Sequence, residues 1–523
     1  MIFTTLKFLV FFCIVFLAYY VLPKKVQWLV LLLASVYFYL CASVKYVIFV
    51  LSASLITYLG ALIIDKLTSN RDTYLKENKE NLSKEAKKLY KTKNEKKRKI
   101  VITITILATL SMLIVMKYTG FVLENISNIC NVFGWNFNTP AWNLILPLGI
   151  SFYTFMSIGY AVDVYREEYP AERNFLKYFL FVSYFPHVLQ GPIDKYSDLS
   201  KDLFTERSFD YNNAVQGATR IVIGVMKKLL VADKLAEVVG MVTSNLDQYY
   251  GLNILITIIL YAIQLYADFT GYMDIAIGCS KILGIRIAEN FDAPYFSKSI
   301  AEYWRRWHIS LGAWFRDYLY YPILRSKTAE KIRKFFKNRN LKYLSNNIPT
   351  VFALAILWIM IGFWHGSTWA FVLYGMYHGS IIIISTLLAP IYDKFHNKFS
   401  KLVKTKIYGA FQIVRTFALV LCGYFLFCIG ELLPAIQMFG NMFKSTDGGI
   451  TVFKDMTMLN IISVSVGTVI IIVLDILTIN KIDIYEKFRK VPFIFRWIVY
   501  VVFLFIVIML SGGEVQEFLY FQF

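Results

Sequence analysis

The sequence predicts an all-α protein that crosses a membrane many times, and three observations support this prediction. Of its 523 residues, 57% are hydrophobic, whereas soluble domains average about 45–50%. The mean hydropathy is +0.53. The apolar residues form runs of about 20 residues, which are long enough to cross the hydrocarbon core of a bilayer as helices. Because these runs recur along the whole chain, we expect a single membrane domain over residues 1–523.

The predicted spans follow the apolar runs in order, and we expect about 10–13 crossings. The run 174–190 is short and contains Pro186, so it is a candidate re-entrant segment. The first run reaches Leu22 and no small-residue cleavage site follows it, which indicates a retained span. The candidate spans are 3–22, 26–41, 46–64, 100–117, 143–163, 174–190, 215–232, 252–279, 350–364, 368–388, 407–430, 458–478 and 493–511.

The basic residues give a formal net charge of +20 and gather in short blocks between the apolar runs. This distribution is typical of the positive-inside rule and argues against a nucleic-acid partner. The blocks 65–99, 325–342 and 394–406 have the same sign, so we expect all three on the cytoplasmic side and the N-terminus outside. A basic face of this kind also attracts anionic lipid headgroups or a phosphorylated donor.

Ionisable residues cluster between residues 260 and 380, although such residues are costly at bilayer depth and usually face a cavity or a partner. The cluster therefore indicates a functional region. Its members are Asp268, Asp274, Asp292, Glu302, Arg305, Arg306, His308, Arg316, Asp317, His365 and His378.

The segment from Ala301 to Leu319 is predicted to be one amphipathic helix that lies at the interface or lines a wet cavity. At about 100° per residue, one face has Glu302, Arg305, Arg306, Arg316 and Asp317. The opposite face has Trp304, His308, Leu311, Phe315 and Leu319. Glu302 is then within i+3 and i+4 reach of Arg305 and Arg306. His308 is either a functional residue or a structural histidine bonded to a backbone carbonyl.

His365 ends a long apolar run, between Gly362 and Gly366. Glycines permit close approach of a ligand or of backbone, and a helix break at membrane depth is tolerated where it faces protein or a cavity. A neutral histidine in this position is able to take a proton from an alcohol. The alternative is a packed histidine at a helix junction. His378 follows one span later and is expected to be structural.

Motifs of soluble enzymes are absent: there is no G-x-S-x-G elbow, P-loop, H-E-x-x-H or dinucleotide fingerprint. The six cysteines show no metal-binding or redox spacing. We therefore expect no metal and no bound cofactor.

Several segments resemble, in the same order, the bacterial membrane-bound O-acyltransferases, in particular the alginate O-acetyltransferase membrane subunits. The ordered series covers roughly 145–380. Its segments are Leu146-Pro-Leu-Gly-Ile-Ser-Phe-Tyr-Thr-Phe155, Tyr184-Phe-Pro-His-Val-Leu-Gln-Gly-Pro192, Tyr266-Ala-Asp-Phe-Thr-Gly-Tyr-Met-Asp274, Asn290-Phe-Asp-Ala-Pro-Tyr295, Glu302-Tyr-Trp-Arg-Arg-Trp-His-Ile-Ser-Leu311, Trp314-Phe-Arg-Asp-Tyr-Leu319 and Gly362-Phe-Trp-His-Gly366.

This resemblance implies a ring of about 10–13 tilted transmembrane and re-entrant helices around a central tunnel. It also implies N-terminal spans at 1–64, a charged cytoplasmic segment at 65–99, a catalytic core at 143–388 and C-terminal spans at 389–523. His365 resembles the family's essential histidine and His308 its second histidine. The residues expected to line the tunnel or contact the donor are Gln190, Trp304, Arg305, Arg306, Asp317 and Trp364.

The resemblance further implies transfer of an acyl group, most simply acetyl from cytoplasmic acetyl-CoA, to hydroxyls of an extracellular polysaccharide. The transfer would be direct or would pass through a secreted or membrane-tethered acetyltransferase partner. The protein would lie among the lipids of a bacterial cytoplasmic membrane. One alternative is transfer of D-alanine to teichoic acid from an acylated carrier protein. Another is a polysaccharide or lipid transporter, whose usual inverted repeats we do not find.

Overall fold

The computed structural model describes residues 2–135, 137, 147–445 and 449–510. Within these ranges the regular secondary structure is helical, apart from one isolated bridge between Phe291 and Trp307. The chain divides into two compact units. The first unit is Met1–Asn213 with Cys279–Ala288, and the second is Ala214–Gly278 with Glu289–Phe523. The predicted all-α fold class is confirmed.

Seven of the described helices are long and apolar enough to cross a membrane, as judged by length and composition. They agree with predicted spans to within a few residues at most ends, and the protein is a multi-pass membrane protein. The number of crossings and the ring around a tunnel stay predictions. The seven helices are Val44–Glu77, Lys84–Val132, Leu252–Ile282, Lys342–His365, Trp369–Leu387, Lys406–Ile429 and Met458–Ile479.

The first unit contains the charged segment 65–99, which is helical except around residues 78–83. It continues two of the apolar helices, and Ser83 caps the second of them by accepting a hydrogen bond from the backbone N–H of Ala86. The helices of this unit are Leu6–Val21, Gln27–Leu40, Val44–Glu77, Lys84–Val132, Ile150–Tyr165, Phe175–Ser183 and Tyr196–Leu203.

The predicted segment 174–190 is helical only over Phe175–Ser183, and a buried irregular stretch follows it. Pro186 lies in that stretch. Proline has no backbone N–H donor and disfavours helical structure, which is consistent with the irregular backbone there. Residues 143–146 of the predicted span 143–163 lie outside the described residues, as do residues from 511 onward.

The second unit contains two segments of π-helix, Lys227–Ala232 and Arg316–Tyr320. Segments of this kind are frequently found at functional sites. The α-helices that lie wholly or mostly in this unit are Tyr211–Met226, Asp233–Ser244, Leu252–Ile282, Ile300–Arg306, Ile309–Phe315, Tyr321–Leu324, Lys327–Lys337, Lys342–His365, Trp369–Leu387, Ala389–Lys398, Ser400–Val403, Lys406–Ile429, Leu432–Asn441, Met458–Ile479, Ile484–Arg489 and Phe493–Leu510.

The prediction of a single helix from Ala301 to Leu319 is wrong. Helix Ile300–Arg306 ends before His308, which has a left-handed backbone with φ of 48°, and a second helix covers Ile309–Phe315. The cause is tertiary hydrogen bonding: backbone groups of the segment 290–292 bond to Arg306 and Ile309 in place of helical partners. The predicted faces are therefore lost beyond Arg306.

Buried ion pairs account for two carboxylates of the predicted ionisable cluster. The Nζ of Lys228 lies 2.8 Å from Asp268 and 2.9 Å from Asp233. The adjacent Lys227 lies 2.7 Å from Asp274, which also accepts from Arg220 at 2.9 Å. The π-helix Lys227–Ala232 contains both lysines. These carboxylates therefore have structural partners.

Replacing Lys228 with methionine is expected to destabilise the protein strongly, because Asp268 and Asp233 would each lose a buried ion pair. Removing one partner of a buried ion pair costs about 3–5 kcal/mol, and the side chains of Lys228 and Asp268 are each 2% exposed. The measurement is thermal unfolding of the purified protein in detergent. Lys334→Met is the control, since Lys334 pairs with Glu330 on an exposed helix. Equal melting temperatures for the two variants would contradict the prediction.

Candidate active site

His365 is the last residue of helix Lys342–His365, as predicted. Gly366 follows in an extended conformation, and the next helix begins at Trp369. The His365 side chain is buried, with 3% of the residue exposed. The imidazole is therefore fixed at a helix end inside the apolar part of the second unit.

Glycines on both helices hold this junction tightly. A Cβ added to Gly375 would lie 2.3 Å from the carbonyl oxygen of Trp358, and one on Gly362 would lie 2.6 Å from that of Phe371. A Cβ on Gly366 would lie 2.0 Å from the Phe371 ring. The close approach predicted at Gly362 and Gly366 is therefore made by helix Trp369–Leu387. Small residues of this kind let two helices in a membrane pack backbone to backbone.

Aromatic rings surround His365 on several sides. The ring centroids of Trp364, Phe427 and Tyr374 lie 5.0, 5.1 and 5.8 Å from the imidazole centroid, each in an edge-on arrangement. Tyr374 also lies edge-on to His378 at 4.8 Å. One tyrosine therefore contacts both of these histidines.

His378 is fully buried and lies edge-on to Trp304, with 5.2 Å between ring centroids. Within the part of the chain that the structure describes, neither of its ring nitrogens has a hydrogen-bond partner. Its Nε2 lies against Gly423, where an added Cβ would approach to 2.6 Å. This dense packing favours the structural role predicted for His378.

His308 is held by the side chain of Asn290. The Oδ1 of Asn290 lies 3.3 Å from His308 Nδ1 and accepts hydrogen bonds from the Ser310 amide at 2.9 Å and the Ser310 hydroxyl at 3.0 Å. The Asn290 carbonyl oxygen also accepts from the backbone N–H of Ile309 at 3.0 Å. We call these four hydrogen bonds the Asn290 clamp. It stabilises the left-handed conformation of His308, which is uncommon for residues other than glycine.

The Asn290 clamp also sets the tautomer of His308. The Ser310 amide only donates, so the atom that it bonds is the side-chain oxygen of Asn290. That oxygen only accepts, so His308 Nδ1 carries the hydrogen and Nε2 is an acceptor. Burial lowers the pKa of His308 to about 3, so the imidazole is neutral at physiological pH. The sequence suggested a backbone carbonyl as the partner of His308; in the structure its partner is the side-chain amide of Asn290.

Trp364 connects the two predicted catalytic histidines. Its ring centroid lies 5.7 Å from that of His308 and 5.0 Å from that of His365. Phe269 covers His308 on another side at 4.9 Å. The structure therefore brings His308, Trp364 and His365 together in one aromatic cluster.

The other predicted site residues lie in different surroundings. Trp304 packs edge-on against Trp358 at 5.0 Å and against His378 at 5.2 Å between ring centroids. Arg305 is exposed, whereas Arg306 pairs with Glu302 at 2.7 Å as expected for residues four apart. Two candidates remain. The Oδ1 of Asp317 lies 3.2 Å from Arg316 Nε, and Gln190 is fully buried in the first unit.

Three residues of this region were not predicted as site residues: Asn290, Tyr374 and Phe427. Asn290 opens one of the ordered motifs, so its polarity beside Phe291 was an available signal. Tyr374 and Phe427 lie on helices that meet the His365 junction only after folding. No local pattern marks them.

Asn290→Ala is expected to lower catalytic activity while the protein still folds, because the His308 loop loses three hydrogen bonds and one buried acceptor. An unpaired buried donor costs about 1–3 kcal/mol. Asn253→Ala is a matched control, since Asn253 is also buried and accepts from two backbone N–H groups, of Thr451 and Val452. Melting temperature and turnover are measured for both. We expect similar destabilisation but a loss of turnover only for Asn290→Ala; equal turnover would contradict a role of the clamp in the site.

Comparison with known proteins places this site in a family. The chain is 32% identical over 433 residues to a probable alginate O-acetylase of Pseudomonas putida. The aligned region covers 79% of this chain and 82% of that protein. The match to its counterpart from Azotobacter vinelandii, at 34% identity, spans 66% of this chain and 63% of that protein's length.

Relatives that have other activities are also similar to this chain. The chain is 28% identical to a peptidoglycan O-acetyltransferase of Helicobacter pylori, over 76% of this chain and 73% of that protein. It is 30% identical to a teichoic acid D-alanyltransferase of Bacillus subtilis, over 55% and 70% respectively. Residues 100–337 match the sequence profile of MBOAT, the membrane-bound O-acyltransferase family. These findings confirm the resemblance seen in the sequence and the predicted O-acyltransferase class: the chain belongs to the membrane-bound O-acyltransferase family.

Proposed function

We propose that this protein transfers an acetyl group from a cytoplasmic thioester to hydroxyls of an extracellular cell-surface polysaccharide. The observation that carries the proposal is the placement of His365 at a helix end, buried and in one aromatic cluster with His308. The family's reaction needs a base for an alcohol, and His365 is the residue at the junction that has the chemistry to serve as one. Family membership favours this reaction over the transporter alternative.

His365 acts as the general base in this proposal. One ring nitrogen takes the proton of the acceptor hydroxyl as the oxygen attacks the thioester carbonyl carbon. The new C–O bond forms, the C–S bond breaks, and the proton passes from His365 to the departing thiolate. A positioned base contributes about 10²–10⁴-fold to the rate, and the remainder comes from orienting donor and acceptor at one place.

His308 has a different part. Its Nδ1–H is directed to Asn290, so Nε2 is a hydrogen-bond acceptor. In this tautomer Nε2 has no hydrogen to donate to the developing oxyanion. The indole N–H of Trp364, whose ring contacts both imidazoles, is the better candidate donor. We therefore assign His308 the role of positioning Trp364 and the acceptor hydroxyl.

The donor side follows from the charge distribution. The basic blocks 65–99, 325–342 and 394–406 indicate the cytoplasmic face, with the N-terminus outside, in a bacterial cytoplasmic membrane. Acetyl-CoA, whose phosphates are anionic, is the proposed donor, and exposed Arg305 is a candidate contact. The similarity to an alginate O-acetylase and a peptidoglycan O-acetyltransferase supports a cell-surface glycan as acceptor. A secreted or membrane-tethered acetyltransferase is the proposed partner where transfer is indirect.

A second candidate function is D-alanyl transfer to teichoic acid, which the similarity to the Bacillus subtilis protein favours. In that reaction the thioester donor is an acylated carrier protein. The shared site chemistry is the same, because a hydroxyl attacks a thioester in both cases. The two candidates differ in the donor that the cytoplasmic face accepts.

His365→Gln is expected to lower kcat by about 10²–10⁴-fold, the usual contribution of a general base, with the protein inserted and folded normally. Glutamine keeps the size and a hydrogen-bonding group but does not take up a proton. His396→Gln is the control, because His396 lies on helix Ala389–Lys398 away from the aromatic cluster. Turnover is measured in membranes with matched protein levels. Full activity of His365→Gln would refute its role as base.

Purified membranes are expected to transfer radiolabelled acetyl from acetyl-CoA to the acceptor polymer without a carrier protein. The reason is that the proposed donor is a free thioester recognised by its phosphates and acetyl group. The same membranes are tested with a D-alanylated carrier protein. Label transfer from the charged carrier alone would show that the D-alanyl candidate is correct.

A further inference from the structure

A second site is indicated by a cavity of about 370 Å³ in the second unit. Three membrane-spanning helices line it: Leu252–Ile282, Lys406–Ile429 and Met458–Ile479. Its volume lies within the range of about 300–1,000 Å³ that is typical of small-ligand sites. Most of its lining is aliphatic or aromatic, and its lining residues include Tyr266, Val414, Thr468, Ile472 and Asp475.

The cavity borders the lipid-facing surface of two of these helices. Val414 and Ile472 line it and are 68% and 45% exposed. On helix Met458–Ile479 the neighbouring Val469 and Val473 are also exposed and apolar. A bilayer therefore presents hydrocarbon chains to this opening, and a chain that enters it contacts apolar side chains throughout most of the cavity.

One carboxylate makes this cavity different from an ordinary apolar groove. The Tyr266 hydroxyl donates to Asp475 Oδ1 at 2.8 Å. Among the described residues this is the one hydrogen bond of Asp475, and no lysine or arginine there forms an ion pair with it. An ionisable residue within a membrane helix indicates function by default, and it needs a partner. The second carboxylate oxygen is available to accept from a bound ligand.

The positions of Asp475 and Thr468 fit the length of a lipid. Asp475 lies four residues before the end of helix Met458–Ile479, about 6 Å from it at ~1.5 Å per residue. Thr468 lies about 10 Å deeper. Its buried Oγ1 has no hydrogen-bond partner in the described part of the chain. The carboxylate is thus near the interface, and the hydroxyl lies at a depth where an ester carbonyl is able to accept from it.

We propose that this cavity binds one acyl chain of a membrane lipid with a primary ammonium head group. The ammonium donates to Asp475, the acyl chain fills the apolar part, and Thr468 bonds an ester carbonyl. Charge complementarity selects an ammonium that has N–H donors, because a carboxylate accepts hydrogen bonds that a quaternary ammonium cannot supply. The site does not rest on the proposed function.

Such a lipid would lie next to the wall of the candidate active site. Tyr266, which holds Asp475, packs against Trp307 at 6.0 Å between ring centroids, and Trp307 precedes His308. Tyr295, another lining residue, packs against Trp307 at the same distance of 6.0 Å. Lipid bound in the cavity is therefore in position to stabilise the segment that carries His308.

The test is native mass spectrometry of the full chain purified from nanodiscs that contain phosphatidylethanolamine and phosphatidylcholine with identical acyl chains. We expect about tenfold preferential retention of phosphatidylethanolamine, the effect of one charge-assisted hydrogen bond. Asp475→Asn should remove this preference. Asp483→Asn is the control, since Asp483 caps the helix Ile484–Arg489 outside the cavity. Equal retention of the two lipids by the wild type would overturn the ammonium assignment.

A pair of tryptophan variants tests the cavity itself. Thr468→Trp places a large ring inside it, whereas Val469→Trp places the same ring on the neighbouring lipid-facing position. We expect Thr468→Trp to lose retained lipid and Val469→Trp to keep it; equal retention would overturn the site. Photo-crosslinking from benzoylphenylalanine at Ile472, with Val473 as control, is an independent test that detects the lipid directly. A lipid adduct at Ile472 well above that at Val473 is expected, and equal adducts would overturn the proposal.

Discussion

Polar groups inside an apolar body are stabilised mainly by bonding to one another, because lipid offers them no hydrogen-bond partners. This constraint governs the second unit. Lys228 is bonded to Asp268 and Asp233, so the charged residues of the Tyr266–Asp274 motif hold helices together. The Asn290 clamp satisfies the buried donors of the segment around His308. The geometry of the candidate active site follows from where these bonds are available.

The same constraint separates the two histidines. The position of His365 is determined by its place as the last residue of a helix and by the close packing of two helices at glycines. His308 is set by hydrogen bonds from a distant segment, which fix its backbone and its tautomer. One histidine is thus placed among aromatic rings at a helix junction, and the other is locked as a neutral acceptor. This difference is the physical basis for assigning the base to His365 and a positioning role to His308.

The sequence predicted the spans and the His365 junction because both depend on local features. Run length sets where a helix crosses, and the Gly362-to-Gly366 segment marks where one ends. The break at His308 was not predictable in this way. Its cause is Asn290, 18 residues earlier. The helical periodicity of a segment does not reveal a tertiary hydrogen bond that competes with the helix. For the same reason Tyr374 and Phe427, which reach His365 from other helices, had no local signal.

The most direct test of this account is a structure of the protein with an unreactive acetyl-CoA analogue and an acceptor oligosaccharide bound together. If His365 is the base, the acceptor hydroxyl oxygen lies about 2.6–3.2 Å from one of its ring nitrogens, or is joined to it through one water. The reacting carbonyl carbon then lies about 3–3.5 Å from that oxygen. Donor and acceptor that meet away from the cluster of His308, Trp364 and His365 would contradict the assignment of His365 as the base.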